Sequence, residues 1–186
     1  LLDFFPEYAI PCGETTMQNI TVRTMLTMTA PYKFETEPYE VFFGSNHWVK
    51  DALDLLGGGG RIGDFRYAAI AGPDILSGIL MKATGQTVLD FATENLFAPL
   101  GMSSQENVIL RSKEEHMAFF QDRNAGGWVT DPHGVNAAGW GLFLTPKDMA
   151  KIGRLYLEDG SWNGKQILSS NWISESTKVH SRWHEM

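Results

Sequence analysis

The stretch Thr145-Pro146-Lys147-Asp148-Met149-Ala150-Lys151-Ile152-Gly153 decides the fold class of this chain. A threonine precedes a proline, and an acid stands three residues after the threonine. The threonine hydroxyl can cap the free N–H groups of a first helical turn. Proline at the first position loses nothing by lacking an N–H, and the acid suits the positive end of the helix. The helix opened there runs toward Gly160, with Met149, Ile152, Leu155 and Tyr156 at the spacing of one face.

The same grammar recurs upstream. Thr21 precedes Val22-Arg23-Thr24-Met25-Leu26, a short helix. Ser45 can cap a second one, in which Trp48, Ala52 and Leu55 fall at i, i+4 and i+7. Gly57-Gly58-Gly59-Gly60 ends it, and four residues without side chains to bury predict a mobile loop. Pro73 opens a third helix, Asp74 to Thr84, stopped by Gly85, with Ile75, Ile79 and Lys82 along one side. Thr87-x-x-Asp90 resembles a capping box and opens a fourth, through about Phe97. A last helix begins near Ser169 or Ser170 and includes Trp172 and Ile173. Strand signal is confined to Gly127-Trp128-Val129-Thr130 and Gly141-Leu142-Phe143-Leu144, too short for alternation to decide. The expectation is a single, mainly α domain over residues 1–186, of five to seven short helices with few or no strands.

Composition excludes several functions. With 43% hydrophobic and 20% charged residues the chain is an ordinary globular one. The net charge of −7 argues against a nucleic-acid surface, which needs clustered Lys and Arg. No apolar run approaches the ~20 residues that span a bilayer. Leu1-Leu2-Asp3-Phe4-Phe5-Pro6 has no basic n-region, so it reads as neither a signal peptide nor a natural start but as the interior of a longer protein. Cys12 stands alone and reads as a buried or loop thiol, without a metal or redox pattern.

Three stretches carry a family resemblance. Ile20-Thr21-Val22-Arg23-Thr24-Met25-Leu26-Thr27-Met28-Thr29 is similar to the "ITVRHLLTMTSG" segment of β-lactamase-related serine hydrolases, in the branch of class C β-lactamases, DD-peptidases and related esterases. Phe65-Arg66-Tyr67, then Lys82-Ala83-Thr84-Gly85-Gln86-Thr87 and Phe97-Ala98-Pro99-Leu100-Gly101-Met102, resemble that family's "F-x-Y-x-N … TGQ … F-x-PLGM". Ala138-Gly139-Trp140-Gly141-Leu142-Phe143-Leu144, the stretch quoted first, and Trp162-Asn163-Gly164-Lys165-Gln166-Ile167-Leu168 look like "GGGLYLTPRDMAKIG … WNGKQIL". They stand in family order with family-like spacing. The resemblance implies a helical subdomain of the serine β-lactamase/transpeptidase-like fold. The complete parent would be a serine hydrolase of β-lactams, cell-wall peptides or esters. Its setting would be bacterial, extracytoplasmic or cytoplasmic.

Acyl transfer in that family needs a Ser-x-x-Lys turn, a Tyr-x-Asn or Ser-x-Asn loop, and a Lys-Thr-Gly or His-x-Gly strand. Ser-x-x-Lys and Lys-Thr-Gly do not occur here: Ser161 and Lys165, like Ser174 and Lys178, are four apart. Lys82-Ala83-Thr84-Gly85 carries one residue too many, and His133-Gly134 one too few. Only the middle motif is in range, as Tyr67-Ala68-Ala69. The resemblance makes Tyr67 the counterpart of the family's catalytic tyrosine, and Ala69 stands where the substrate-orienting Asn would be. The chain alone is therefore expected to be inactive, a small-molecule substrate being bound only by the complete parent. The rival reading is a non-enzymatic helical binding module that kept the shape and lost the site.

No cofactor or metal is implied. His180 and His184 are four apart but lie in a tail with no third ligand, and the glycine run followed by Arg61 is not a phosphate-binding loop. His47 and His116 stand singly on helices in packing or surface roles. Trp128, Trp140 and Trp162 read as core and loop anchors. Helices built to lie on a sheet would expose an apolar face here, so self-association is expected.

Overall fold

The computed structural model describes residues 1–182, so His184 lies outside the described residues. Among these are eight α-helices: α1 (Val22–Leu26), α2 (Tyr39–Gly44), α3 (Trp48–Leu55), α4 (Gly72–Thr84), α5 (Val88–Ala92), α6 (Lys113–Gln121), α7 (Pro146–Leu157) and α8 (Ser170–Ser176). Five short strands accompany them: β1 (Asn107–Ile109), β2 (Gly127–Thr130), β3 (Leu142–Phe143), β4 (Ser161–Trp162) and β5 (Lys165–Gln166). No described helix is long and apolar enough to cross a membrane.

Four of the caps legible locally are made. The hydroxyls of Thr21, Thr87, Thr145 and Ser169 accept the backbone N–H three residues on, at 3.1–3.2 Å. The fourth predicted helix is divided, α5 passing into one π-helical turn, Thr93–Phe97. His47, not Ser45, occupies the N-cap position of α3 and makes no side-chain capping bond, and the Ser45 hydroxyl instead accepts the His47 N–H at 2.9 Å.

The Thr145 stretch does more than start a helix. Asp148 is almost wholly buried and its carboxylate accepts from the Ser103 N–H (3.3 Å), the Thr145 hydroxyl (2.9 Å) and the Lys151 ammonium (3.0 Å). Lys151, the main cause, holds this carboxyl well below the usual range. It also donates to the Gly101 carbonyl, so α7 is tied to the turn after Pro99. The face predicted for α7 is corrected: Leu155 is fully buried, but Met149 is 60% exposed because the Asp148 side turns inward.

The main core gathers Met17, Ile20, Phe42, Trp48, Leu56, Ile70, Ile75 and Val129 around α3 and α4. The first two residues of the glycine run are held against this body. The Gly57 N–H donates to the Pro31 carbonyl (2.9 Å) and the Gly58 N–H to Glu14 (2.8 Å). A Cβ on Gly58 would come within 2.7 Å of Lys33, and its φ of +83° strains any other residue. Close approach and a positive φ account for glycine at that position.

β1 pairs parallel to β2, with Val108 opposite Val129, and β2 pairs antiparallel to β3. The β1–β2 crossover passes through α6. β4 and β5 form a separate hairpin. The strands are few and short, as expected, and they are not absent. Trp128 lies in the core with its indole N–H on the Ala137 carbonyl at 2.7 Å, and Trp162 is covered by the Arg154 guanidinium at 4.9 Å.

Candidate active site

Tyr67 sits on the turn that leads into α4. Ala68, Ala69, Ile70 and Ala71 are buried, so the backbone is fixed by its small residues while Tyr67 stays 55% exposed. Ala71 has φ of +67°, a conformation that costs a non-glycine residue on the order of 1–3 kcal/mol and persists only where surroundings impose it. The surroundings are explicit. The Ala71 N–H donates to the Asp74 carboxylate at 3.0 Å, inside the first turn of α4.

Two other segments clamp the turn. From the strap before α2, Glu37 accepts the Ala69 N–H at 2.5 Å. Tyr39 lies beside Glu37 and Tyr67; partial burial and then the Glu37 carboxylate push its phenol above the ordinary value. From the far side, Gly139 packs so closely that a Cβ there would overlap the Ala69 carbonyl oxygen and press on Pro73 at 3.0 Å. Ala69 therefore spends its N–H on Glu37 and has no side-chain amide to offer a substrate.

Asp74 is the buried acid of this turn. Burial pushes its carboxyl up to about 7. The folded state thus keeps a proton that the unfolded chain has lost between roughly pH 4 and 7. Its stabilising effect is complete below the unfolded value and lost as pH rises through about 7. Asp74→Asn should gain stability relative to the parent chain as pH rises from 4.5 to 8, by a few kcal/mol at most at ~1.4 kcal/mol per unit. Urea midpoints at the two pH values measure this; a difference that is constant with pH would refute it.

The structure brings together residues that the sequence left apart. Asp131, almost fully buried, accepts the N–H groups of His133 and Val135 (2.9 Å each) and of Trp48 (3.3 Å). That clamp stacks His47 on His133 with ring centroids 4.3 Å apart, so His47 does not stand alone. The pair opens on a cavity of about 800 Å³ floored by Phe5, Leu53, Met81 and Val135, and Tyr67 is not among its lining residues. His116 is fully buried, stacked on Phe43 at 4.2 Å. Its position on α6 was signalled by Ser112-x-x-Glu115, whose serine accepts the Glu115 N–H and whose glutamate accepts the Arg111 N–H. His180 is exposed in the tail and rests on the Glu175 carbonyl, and Cys12 is an exposed loop thiol. Among the described residues no cluster of three or more His, Cys, Asp or Glu could hold a metal ion.

Comparison with known proteins bears on this geometry. The 6-aminohexanoate-dimer hydrolase of Paenarthrobacter ureafaciens is 28% identical over 121 residues, 65% of this chain and 26% of that protein. A solved structure from Bacillus anthracis, provisionally assigned as a 6-aminohexanoate-dimer hydrolase, superposes with a TM-score of 0.67 at 18% identity, covering 94% of this chain and 44% of its own. The chain thus spans about a quarter of the curated relative and under half of the solved structure, and the structural match establishes a β-lactamase-like fold. A family model described as beta-lactamase matches residues 8–184. A match over nearly the whole length, with the three motif stretches inside it, means that the chain belongs to the beta-lactamase family.

Proposed function

We propose that this chain is the mainly α, helical region of a serine hydrolase that cleaves an amide or ester, with Tyr67 as its proton-transfer tyrosine. One observation carries the reading: Tyr67 is the exposed residue of a strained, otherwise buried turn that Glu37, Asp74 and Gly139 hold from three sides. Strain maintained by several independent contacts is characteristic of functional positions. The candidate substrates are β-lactams, cell-wall peptides and small esters. The name of the Paenarthrobacter relative adds a short linear amide to them.

The chain by itself is proposed not to react, because it has no Ser-x-x-Lys to supply nucleophile and cation. It should neither turn over a chromogenic cephalosporin nor retain a fluorescent penicillin. A stoichiometric acyl adduct in the intact mass would overturn this. The second reading, a helical binding module, is favoured by Ala69, which removes the amide a substrate would need. A complete gene product that binds but never acylates would select it. Self-association through exposed Met149, Leu157 and Trp172 belongs to the same proposal, and a clean monomer by sedimentation at high concentration removes it.

A further inference from the structure

We infer that His116 is a pH-sensitive positioning residue for the Tyr67 turn: protonating its imidazole loosens Trp140 and, through Gly139, the turn that presents Tyr67. The path is a chain of direct contacts. His116 is fully buried, and its Nδ1 lies 2.8 Å from the Ser112 carbonyl oxygen. A carbonyl only accepts, so Nδ1 carries the proton and Nε2 of the neutral ring is a bare acceptor. That Nε2 is buried and has no hydrogen-bond partner among the described residues. The ring stacks on Phe43 and lies 5.7 Å from Trp140, whose indole N–H is likewise buried without an acceptor among the described residues. Trp140 also packs on Trp48 and Phe120. The preceding residue, Gly139, lies so close to the turn that a Cβ on it would overlap the Ala69 carbonyl oxygen and meet Pro73 at 3.0 Å.

A second proton on His116 would place a cation in this box with a new N–H and no acceptor. Burying an unpaired charge is costly, so the box is expected to open to water instead. Burial already holds the imidazole below its ordinary value. The charged and titratable groups around it leave that direction intact. On α6 these are Lys113, Glu114 and Glu115, of which Glu115 opposes the shift. On α2 they are Tyr39 and Glu40, and Glu40 is paired with Lys113. The segment from Gly139 to Phe143 contributes none.

The inference depends on the proposed function only for its consequence in turnover, because the test reads the turn itself. Amide-exchange protection of Ala69 and the Trp140 indole resonance are followed by NMR on this chain from pH 7.5 to 5.5, with Leu155 on α7 as control. Once open, the ring regains its usual value near 6.5, so the opening equilibrium rises up to about tenfold per unit below that. Ala69 protection, corrected for intrinsic exchange, should fall by up to about tenfold at pH 5.5 while Leu155 stays unchanged. His116→Asn, which can still donate to Ser112 but does not titrate, should abolish the response. Asp74 faces the same turn and titrates nearby, so Asp74→Asn serves as the counter-test and should preserve it. A flat parent chain, a response that survives His116→Asn, or one lost in Asp74→Asn overturns the inference. Should His116→Asn not fold, the ring titration of His116 in the parent chain decides: a midpoint shared with Ala69 protection supports it, and a separate midpoint overturns it.

Discussion

Asp131→Ala is expected to lower the unfolding free energy by about 3–5 kcal/mol, a large part of the ~5–15 kcal/mol that holds a domain together. The carboxylate is 1% exposed and accepts three backbone N–H groups. Two of these, from His133 and Val135, close the turn after β2. The third, from Trp48, is the first N–H of α3, where a negative charge also meets the positive end of the helix. Alanine leaves these donors without their acceptor at a largely buried position, and each unmade bond of this kind costs on the order of 1–3 kcal/mol. Asp131→Asn retains one oxygen and should lose roughly half as much. Urea unfolding followed by tryptophan fluorescence measures both. A loss below about 1 kcal/mol for the alanine variant would show that packing of Trp48 and Val135 holds the turn without the carboxylate.

The second large effect concerns chemistry. With the family's flanking motifs present on either side of this sequence, hydrolysis of a simple activated ester is expected, and Tyr67→Phe should reduce its rate by about 10²-fold or more, the usual size of a proton-transfer contribution. A free phenol titrates near pH 10 and is a weak base at neutrality. It becomes useful when a cation close by favours the phenolate, and Ser-x-x-Lys would bring one. The ester is the right probe because Ala69 has nothing with which to orient an acylamino group, and an activated ester carries none. Penicillin turnover should recover less well, and Ala69→Asn should help it selectively. Equal ester rates for the parent and Tyr67→Phe would reduce Tyr67 to a piece of wall.

How much of this was legible in the chain depends on distance along it. Helix starts at Thr21, Thr87, Thr145 and Ser169 could be read because a cap and its N–H are three residues apart. The family could be read because its three motif stretches keep their order. Tyr67 could be aligned with a known tyrosine, but its strained turn could not be foreseen. Ala71 adopts φ of +67° through burial and the Asp74 bond, and nothing in Tyr-Ala-Ala-Ile-Ala announces it.

What only the tertiary structure decided is contact between distant residues. Asp131 reaches Trp48 across 83 positions and Glu37 reaches Ala69 across 32. β1, three residues long, acquires its identity from a parallel partner some twenty residues downstream. Gly57 and Gly58 looked like slack because their neighbours in sequence are glycines, whereas the atoms that exclude a side chain there belong to Glu14 and Lys33. His116 looked ordinary because its burial comes from Phe43 and Trp140. Local sequence sets which hydrogen bonds a segment can make with itself. Which polar groups are left in the interior, and what they must then bond to, follows only when the segments have packed and water has been excluded.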